Sequence, residues 1–204
     1  MIAIIDYGAG NLMSVKKALD YIGAENLITD SPELIAAADR VILPGVGSFG
    51  DAMDSIKRKG LLETVKAAAD GSRPFLGICL GLQLLFEESE ESPGVEGLGV
   101  FKGKVKRFSE DYGLKIPHIG WNDLHITQKN GIFKGIPENS YVYFVHSYYL
   151  EAADLSEVAA TTQYGNVFHS AVAKGKVGAT QFHPEKSGDV GLAILKSFAF
   201  GEEF

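Results

Sequence analysis

Pro74-Phe-Leu-Gly-Ile-Cys79-Leu-Gly-Leu-Gln-Leu-Leu-Phe86 decides the architecture, because its character changes at the centre. Pro74 to Cys79 reads as a short apolar strand buried on both faces, and Leu80 to Glu88 reads as a helix. One period gives way to the other with no loop between them, so a strand passes directly into a helix at Cys79.

Upstream, the same alternation repeats. Ile2 to Asp6 is strand-like; after Tyr7-Gly-Ala-Gly10, residues Leu12, Val15, Leu19 and Ile22 recur at helical spacing, and Gly23 supplies a stop. Leu27 to Thr29 is a second strand, and Ser31-Pro32 places a cap and a first-turn proline ahead of a short helix. Arg40 to Leu43 is a third strand running into Pro44-Gly-Val-Gly47, and a helical stretch from Asp51 to Ala69 follows, broken at Gly60. Repeated βα units predict a mostly parallel sheet with helices on both faces.

Downstream the helical period fades. Gly97 to Phe108, Tyr141 to Leu150, Glu157 to Gln163, Phe168 to Ala173 and Val177 to Phe182 are strand-like, with Tyr164-Gly-Asn166 and Lys174-Gly-Lys176 as hairpin turns. A helix from Val190 to Ala199 closes the pattern. No linker or repeat interrupts the chain, so the antiparallel part is expected to extend the same sheet within one α/β domain over residues 1–204.

Composition narrows the function classes. With 46% hydrophobic and 22% charged residues the chain can bury a sizeable core, which excludes a disordered regulator or a collagenous repeat. A formal charge of −7 makes nucleic acid an unsuitable partner. Met1-Ile-Ala-Ile-Ile5 lacks a basic region before it and a cleavage site after it, and the apolar run Phe75 to Phe86 falls short of the roughly 20 residues a bilayer requires. A soluble, cytoplasmic chain with no membrane contact is expected. The one cysteine, Cys79, cannot form an internal disulfide and acts as a thiol.

Gly77-Ile-Cys79-Leu-Gly81 carries the strongest chemical signal. A nucleophile between glycines at a strand-to-helix junction matches a nucleophile elbow, and the amides from Leu80 onward favour a thiolate and offer donors to an oxyanion. The alternative is a small apolar residue ending a core strand; the flanking glycines weigh against it. A thiol needs a base, and in Gln181-Phe-His183-Pro-Glu185 a carboxylate follows the histidine at strand spacing, so Glu185 could orient His183 and His183 could polarise Cys79. Alone, His-Pro-Glu would more often mark a surface turn, and it is the pairing with the elbow at Cys79 that favours the chemical reading. No further His, Cys or Asp cluster supplies a metal site. Pro44-Gly-Val-Gly47-Ser-Phe-Gly50 ends a strand at the same sheet edge, where Gly47 and the Leu80 amide could cradle an oxyanion, though a structural turn would read alike. Tyr7-Gly-Ala-Gly10 fails as a dinucleotide fingerprint because Met13 stands in the third glycine position. Spacing assigns no role to Pro117-His-Ile-Gly-Trp121-Asn122 or to His146-Ser-Tyr-Tyr149.

These blocks, with Asp6-Tyr-Gly-Ala-Gly-Asn11 and Phe182-His-Pro-Glu-Lys-Ser187, resemble the class I glutamine amidotransferase family over essentially the whole chain. Within it they are similar to the glutaminase subunits of imidazole glycerol phosphate synthases. The resemblance implies a flavodoxin-like fold and hydrolysis of glutamine without metal or organic cofactor. It implies that Cys79 forms a γ-glutamyl thioester, that His183 is the general acid and base, and that Glu185 orients it. Gln83, Glu91 and the backbone around His146, Ser147 and Tyr148 match positions that bind glutamine; Trp121 and Lys186 match positions facing a separate (β/α)8-barrel cyclase, the expected partner in a heterodimer that receives the ammonia. Two rivals are a related glutaminase, such as that of pyridoxal phosphate synthase, and a non-catalytic flavodoxin-like module with a merely buried Cys79. Outside the triad, His118, His125 and His169 are expected to tolerate glutamine unless one sits at the partner interface.

Overall fold

The apolar runs of the first half form βα units as expected. The computed structural model describes residues 1–201; the last three positions of the expected 1–204 span lie outside the described residues. In chain order these units are β1 (Ile2–Ile5), α1 (Leu12–Tyr21), β2 (Asn26–Thr29), α2 (Pro32–Ala37), β3 (Arg40–Gly45), α3 (Phe49–Arg58), α4 (Leu62–Ala68), β4 (Phe75–Cys79) and α5 (Leu80–Leu84). Local chemistry sets the helix starts: the Ser31 hydroxyl accepts from the Leu34 amide, and the Ser48 hydroxyl from the Asp51 amide, so α3 begins at Phe49 and not at Asp51. The stretch to Ala69 is two helices, divided at Gly60 with φ of +69°.

The second half supplies β5 (Glu88–Ser89), β6 (Gly103–Arg107), β7 (His118–Asp123), β8 (His125–Ile126), β9 (Tyr141–His146), β10 (Tyr148–Ala152), β11 (Val158–Tyr164), β12 (Asn166–Lys174), β13 (Val177–Thr180) and α6 (Gly188–Phe200). Among the described residues eleven strands form one sheet, ordered β2-β1-β3-β4-β13-β12-β10-β6-β5, with β11 on β12 and β8 on β11. The pairs β2–β1, β1–β3, β3–β4 and β4–β13 are parallel. Alternate residues of the central strands feed opposite faces. Ala3, Ile5, Val41, Leu43 and Phe75 pack with α2 to α5, and Ile2, Ile4, Ile42, Leu76 and Ile78 pack with α1 and α6.

Three expectations are corrected. The helix starting at Leu80 ends at Leu84, short of Glu88, and Gly97 to Phe101 is not strand. These two departures have one cause: the amides of Leu98, Val100 and Phe101 bond back to the carbonyls of Leu84 and Leu85, satisfying the open end of α5. The run from Tyr141 to Leu150 is two strands in two sheets. It breaks at Ser147, and β9 leaves the main sheet to pair antiparallel with β7 alone. The sheet extension holds for β6, β10, β11, β12 and β13, and the β7–β9 ribbon stands apart from it.

Gly81 is fixed by space. A Cβ there would stand 1.8 Å from the Leu43 carbonyl oxygen of β3, so α5 can lie against the strand only with hydrogen at this position. Gly81→Ala is expected to destabilise the chain by about 3 kcal/mol or more. Urea denaturation measures this, and an unchanged midpoint would show that α5 does not approach β3 so closely.

Candidate active site

Parallel register brings the candidate residues to one sheet edge. Gly45 lies opposite Cys79 across β3 and β4, and Thr180 lies opposite Ile78 across β4 and β13, so the ends of three adjacent strands carry Gly45 to Gly47, Cys79, and Gln181 to His183 together. Open parallel sheets bind ligands at this edge. A cleft of about 320 Å³ opens there, lined by Val46, Gly47, Cys79, Leu80, Gln83, Glu91, Pro117, residues 145–148, His183 and Lys186.

Cys79 ends β4 with φ of 54° and ψ of −108°, a conformation that glycine favours and a side chain strains. The expectation that the flanking glycines make the turn is therefore refined. The cysteine itself takes the unusual dihedrals, and Gly77 and Gly81 provide room, since a Cβ on Gly77 would meet the Gly81 carbonyl at 2.9 Å. The side chain is buried, and the Gln181 amide donates toward its sulfur at 3.8 Å.

His183 follows β13. Its Nδ1 lies 2.8 Å from Glu185 Oε1, with both side chains almost fully buried. Nε2 of His183 and Oε2 of Glu185 are buried with no hydrogen-bond partner. Burial, the largest influence on the ring, disfavours the imidazolium. The attractions of Cys79 and Glu185 outweigh it, and the pKa of His183 is raised to about 10. The backbone holds the ring in place. The His183 amide donates to the Tyr143 carbonyl, and the Ser187 hydroxyl donates to the His183 carbonyl while accepting from the Tyr143 amide.

The cleft also gathers the other expected residues. Gln83 is buried, donating to the Tyr148 carbonyl at 3.2 Å and to Gln181 Oε1 at 3.1 Å. Glu91 accepts from the Phe49 amide at the start of α3, 2.8 Å away. Gly47 has φ of +103° with open space around it, whereas Gly45 is wedged: a Cβ there would meet the Tyr7 hydroxyl and Leu80. At the rim, half-exposed Trp121 sits edge-on to Tyr143 at 6.2 Å, and Lys186 Nζ lies 5.8 Å over the same ring. Among the described residues no cluster of three His, Cys, Asp or Glu side chains forms that could hold a metal.

The three histidines expected to be replaceable prove unlike one another. His125 is exposed beside Glu138, His169 accepts from the Ala152 amide, and His118 is buried against His146. Sequence reasoning gave no role to Gln181, Ser187 or Tyr7. Gln181 and Ser187 flank His183 in its own motif; for Gln181, a polar residue directly after an apolar strand was the available signal, whereas Ser187 lies between a short turn and the last helix. Tyr7 gave none, because its buried hydroxyl meets Gly45 only through the fold.

Residues 3–201 match the family described as glutamine amidotransferase class-I. Relatives include the imidazole glycerol phosphate synthase subunit HisH of Syntrophotalea carbinolica, 51% identical over 203 residues and covering 97% of this chain and 98% of that one. The protein of the same name from Methanothermobacter thermautotrophicus is 50% identical over 198 residues, covering 97% of each. Among solved structures, a glutamine amidotransferase has TM-score 0.74 at 23% identity, covering 97% of this chain and 98% of that one. PurLQS from Thermotoga maritima has TM-score 0.75 at 21%, covering 97% and 96%. At those identities the structures bear on the fold alone.

Two outcomes follow from the geometry. Cys79→Gly is expected to be more stable than Cys79→Ala by about 1 kcal/mol, because alanine keeps the strain and glycine removes it; equal urea midpoints would contradict a strained Cys79. In ¹⁵N-histidine spectra His183 is expected to stay protonated through neutral pH and to lose its proton near 10. Its titration is expected to move down in both Cys79→Ala and Glu185→Gln, since each removes a negative partner of the imidazolium. An unmoved titration would break the coupling. The sign carries over to stability: this contribution is full below the unfolded value near 6.5 and fades as pH rises through about 10.

Proposed function

We propose that this chain, which belongs to the glutamine amidotransferase class-I family, is the glutaminase subunit of an imidazole glycerol phosphate synthase. In this reading, residues 1–204 form one amidotransferase domain. It hydrolyses glutamine and delivers the ammonia to a (β/α)8-barrel cyclase. That cyclase makes imidazole glycerol phosphate and an aminoimidazole carboxamide ribonucleotide in histidine biosynthesis. The names and near-complete coverage of the relatives support the assignment.

An amide nitrogen leaves poorly, so the site must attack, stabilise an oxyanion and protonate the departing group. The Cys79 thiolate adds to the side-chain carbonyl carbon of glutamine. The developing oxyanion is met by the amides of Leu80 and Gly47. His183 gives its Nε2 proton to the nitrogen as the C–N bond breaks, leaving a γ-glutamyl thioester and ammonia. Water then attacks the thioester, with Nε2 taking its proton and the thiolate leaving. Glu185 holds the ring through Nδ1. Gln83, Glu91 and the backbone of 146–148 hold the substrate. The single observation that carries this reading is His183, tied to Glu185 at 2.8 Å, with Nε2 buried and unpaired in the cleft that holds the only cysteine.

An uncoupled glutaminase would waste glutamine, and the oxyanion strand offers a control. Gly45 is wedged, so a peptide flip would be confined to Val46 and Gly47, where a Cβ on Gly47 would meet nothing within 4 Å. The cyclase would dock on the rim around Trp121 and Lys186.

Glutamate release tests the proposal. Cys79→Ala is expected to lose at least about a thousandfold, and His183→Ala more than Glu185→Gln, because removing the proton carrier deletes a step. The isolated chain should be weakly active and rise by orders of magnitude with cyclase and nucleotide present, with Trp121→Ala or Lys186→Ala weakening that rise. Full activity alone, unchanged by both additions, would favour a stand-alone glutaminase.

A further inference from the structure

The side chains of His118 and His146 take part in no step of the mechanism, yet they are buried beside the cleft, ringed by Phe108, Phe144, Tyr164 and Phe168. His118 is stacked between Tyr164 and Phe144, with ring centroids 3.9 and 4.9 Å away. Their hydrogen bonds form a chain whose direction is fixed at both ends. The Tyr148 carbonyl can only accept, so His146 Nδ1, 2.7 Å away, carries a proton. A neutral His146 must then accept at Nε2, which makes His118 Nδ1, 3.0 Å away, a donor. His118 Nε2 in turn accepts from Asn122 Nδ2 at 3.4 Å. The Asn122 amide is oriented independently, since its Oδ1 accepts from the Asp123 amide and its Nδ2 donates to the Gln163 carbonyl. Burial lowers the pKa of His118 to about 4 and that of His146 to about 3, so both rings stay neutral, as this pattern requires.

The chain does not stop at Tyr148. The same carbonyl accepts from Gln83, whose amide also donates to Gln181, whose own amide reaches Cys79. We propose that His118 and His146 are positioning residues for the glutamine pocket, a one-way hydrogen-bond relay from Asn122 that fixes the Tyr148 carbonyl and through it the Gln83 and Gln181 amides beside Cys79. Side chains on the ribbon strands thereby set the shape of a pocket whose nucleophile lies on another sheet. This rests on the glutaminase reading and assigns that site a supporting shell.

The test uses the whole chain and its one thiol. Modification of Cys79 by 6-diazo-5-oxo-norleucine, a glutamine-like electrophile, is followed by intact mass with increasing glutamine as protectant, and iodoacetamide serves as a reagent with no glutamine shape. In the wild type, labelling blocked by glutamine supports the glutaminase reading, and its absence overturns that reading irrespective of the relay. Given protection, His118→Phe keeps the ring volume but neither accepts nor donates, and should raise the half-protecting glutamine concentration about tenfold with iodoacetamide reactivity unchanged. His118→Gln, able to accept from Asn122 and donate to His146, should restore protection to within about threefold. Wild-type protection in His118→Phe, or equal loss in both variants accompanied by altered iodoacetamide reactivity, would reduce the pair to packing and overturn the relay. Should His118→Phe fail to fold, ¹⁵N spectra of the wild type decide: both rings neutral with the proton on Nδ1 at pH 7 supports the relay, and His146 protonated on Nε2 or charged overturns it.

Discussion

The contact between Gly81 and the Leu43 carbonyl governs the molecule's chemistry. Because α5 lies hard against β3, the chain must turn from strand to helix within one residue, and that residue is Cys79, held at positive φ. In-register pairing of β3, β4 and β13 then determines what faces it: Gly45 on one side and the Gln181–His183 segment on the other. A shift of one register would move the turns after β3 and β13 away from the thiol. The strain at Cys79 is a local cost borne by a continuous core on both faces of the sheet.

Two histidine environments of opposite character lie close together at this edge. His183 is buried yet drawn toward the charged form by Cys79 and Glu185, whereas His118 and His146 are buried among aromatic rings and kept neutral. The difference comes from neighbours, since burial alone lowers all three. For the neutral pair the effect on stability runs opposite to that of His183. Their contribution is present above the unfolded value near 6.5 and lost as pH falls toward 4 and then 3. A protonatable ring beside a thiol and two fixed neutral rings behind the pocket are what a proton-transfer site and its support each require.

Much of this was legible in the residues. Buried parallel strands are short apolar runs, so β1, β3 and β4 stood out, and Gly77-Ile-Cys79-Leu-Gly81 with Phe182-His-Pro-Glu185 pointed to a thiol and a histidine-carboxylate pair that the fold brings to one sheet edge. What escaped depended on partners distant in sequence. Tyr141 to Leu150 has uniform strand character, and nothing in it marks Ser147 as the point where the chain changes sheets. His118 to Asp123 carries His, Gly, Asn and Asp, poor strand formers, and becomes β7 only by pairing with β9. The apolar segment after Gly97 looked like strand because its true role, bonding the carbonyls of Leu84 and Leu85, has no local signature. For the same reason the His118–His146 contact was invisible: the two residues lie 28 positions apart and meet through the ribbon.

The central claim is that the strained end of β4 presents a nucleophile to glutamine. Acid quenching during glutamine turnover, followed by peptic digestion and mass analysis, tests it directly. The account predicts a glutamyl group in thioester linkage on the peptide containing Cys79, which disappears as glutamine is exhausted. Turnover of glutamine with that peptide unmodified, or with the glutamyl group on another residue, would contradict it.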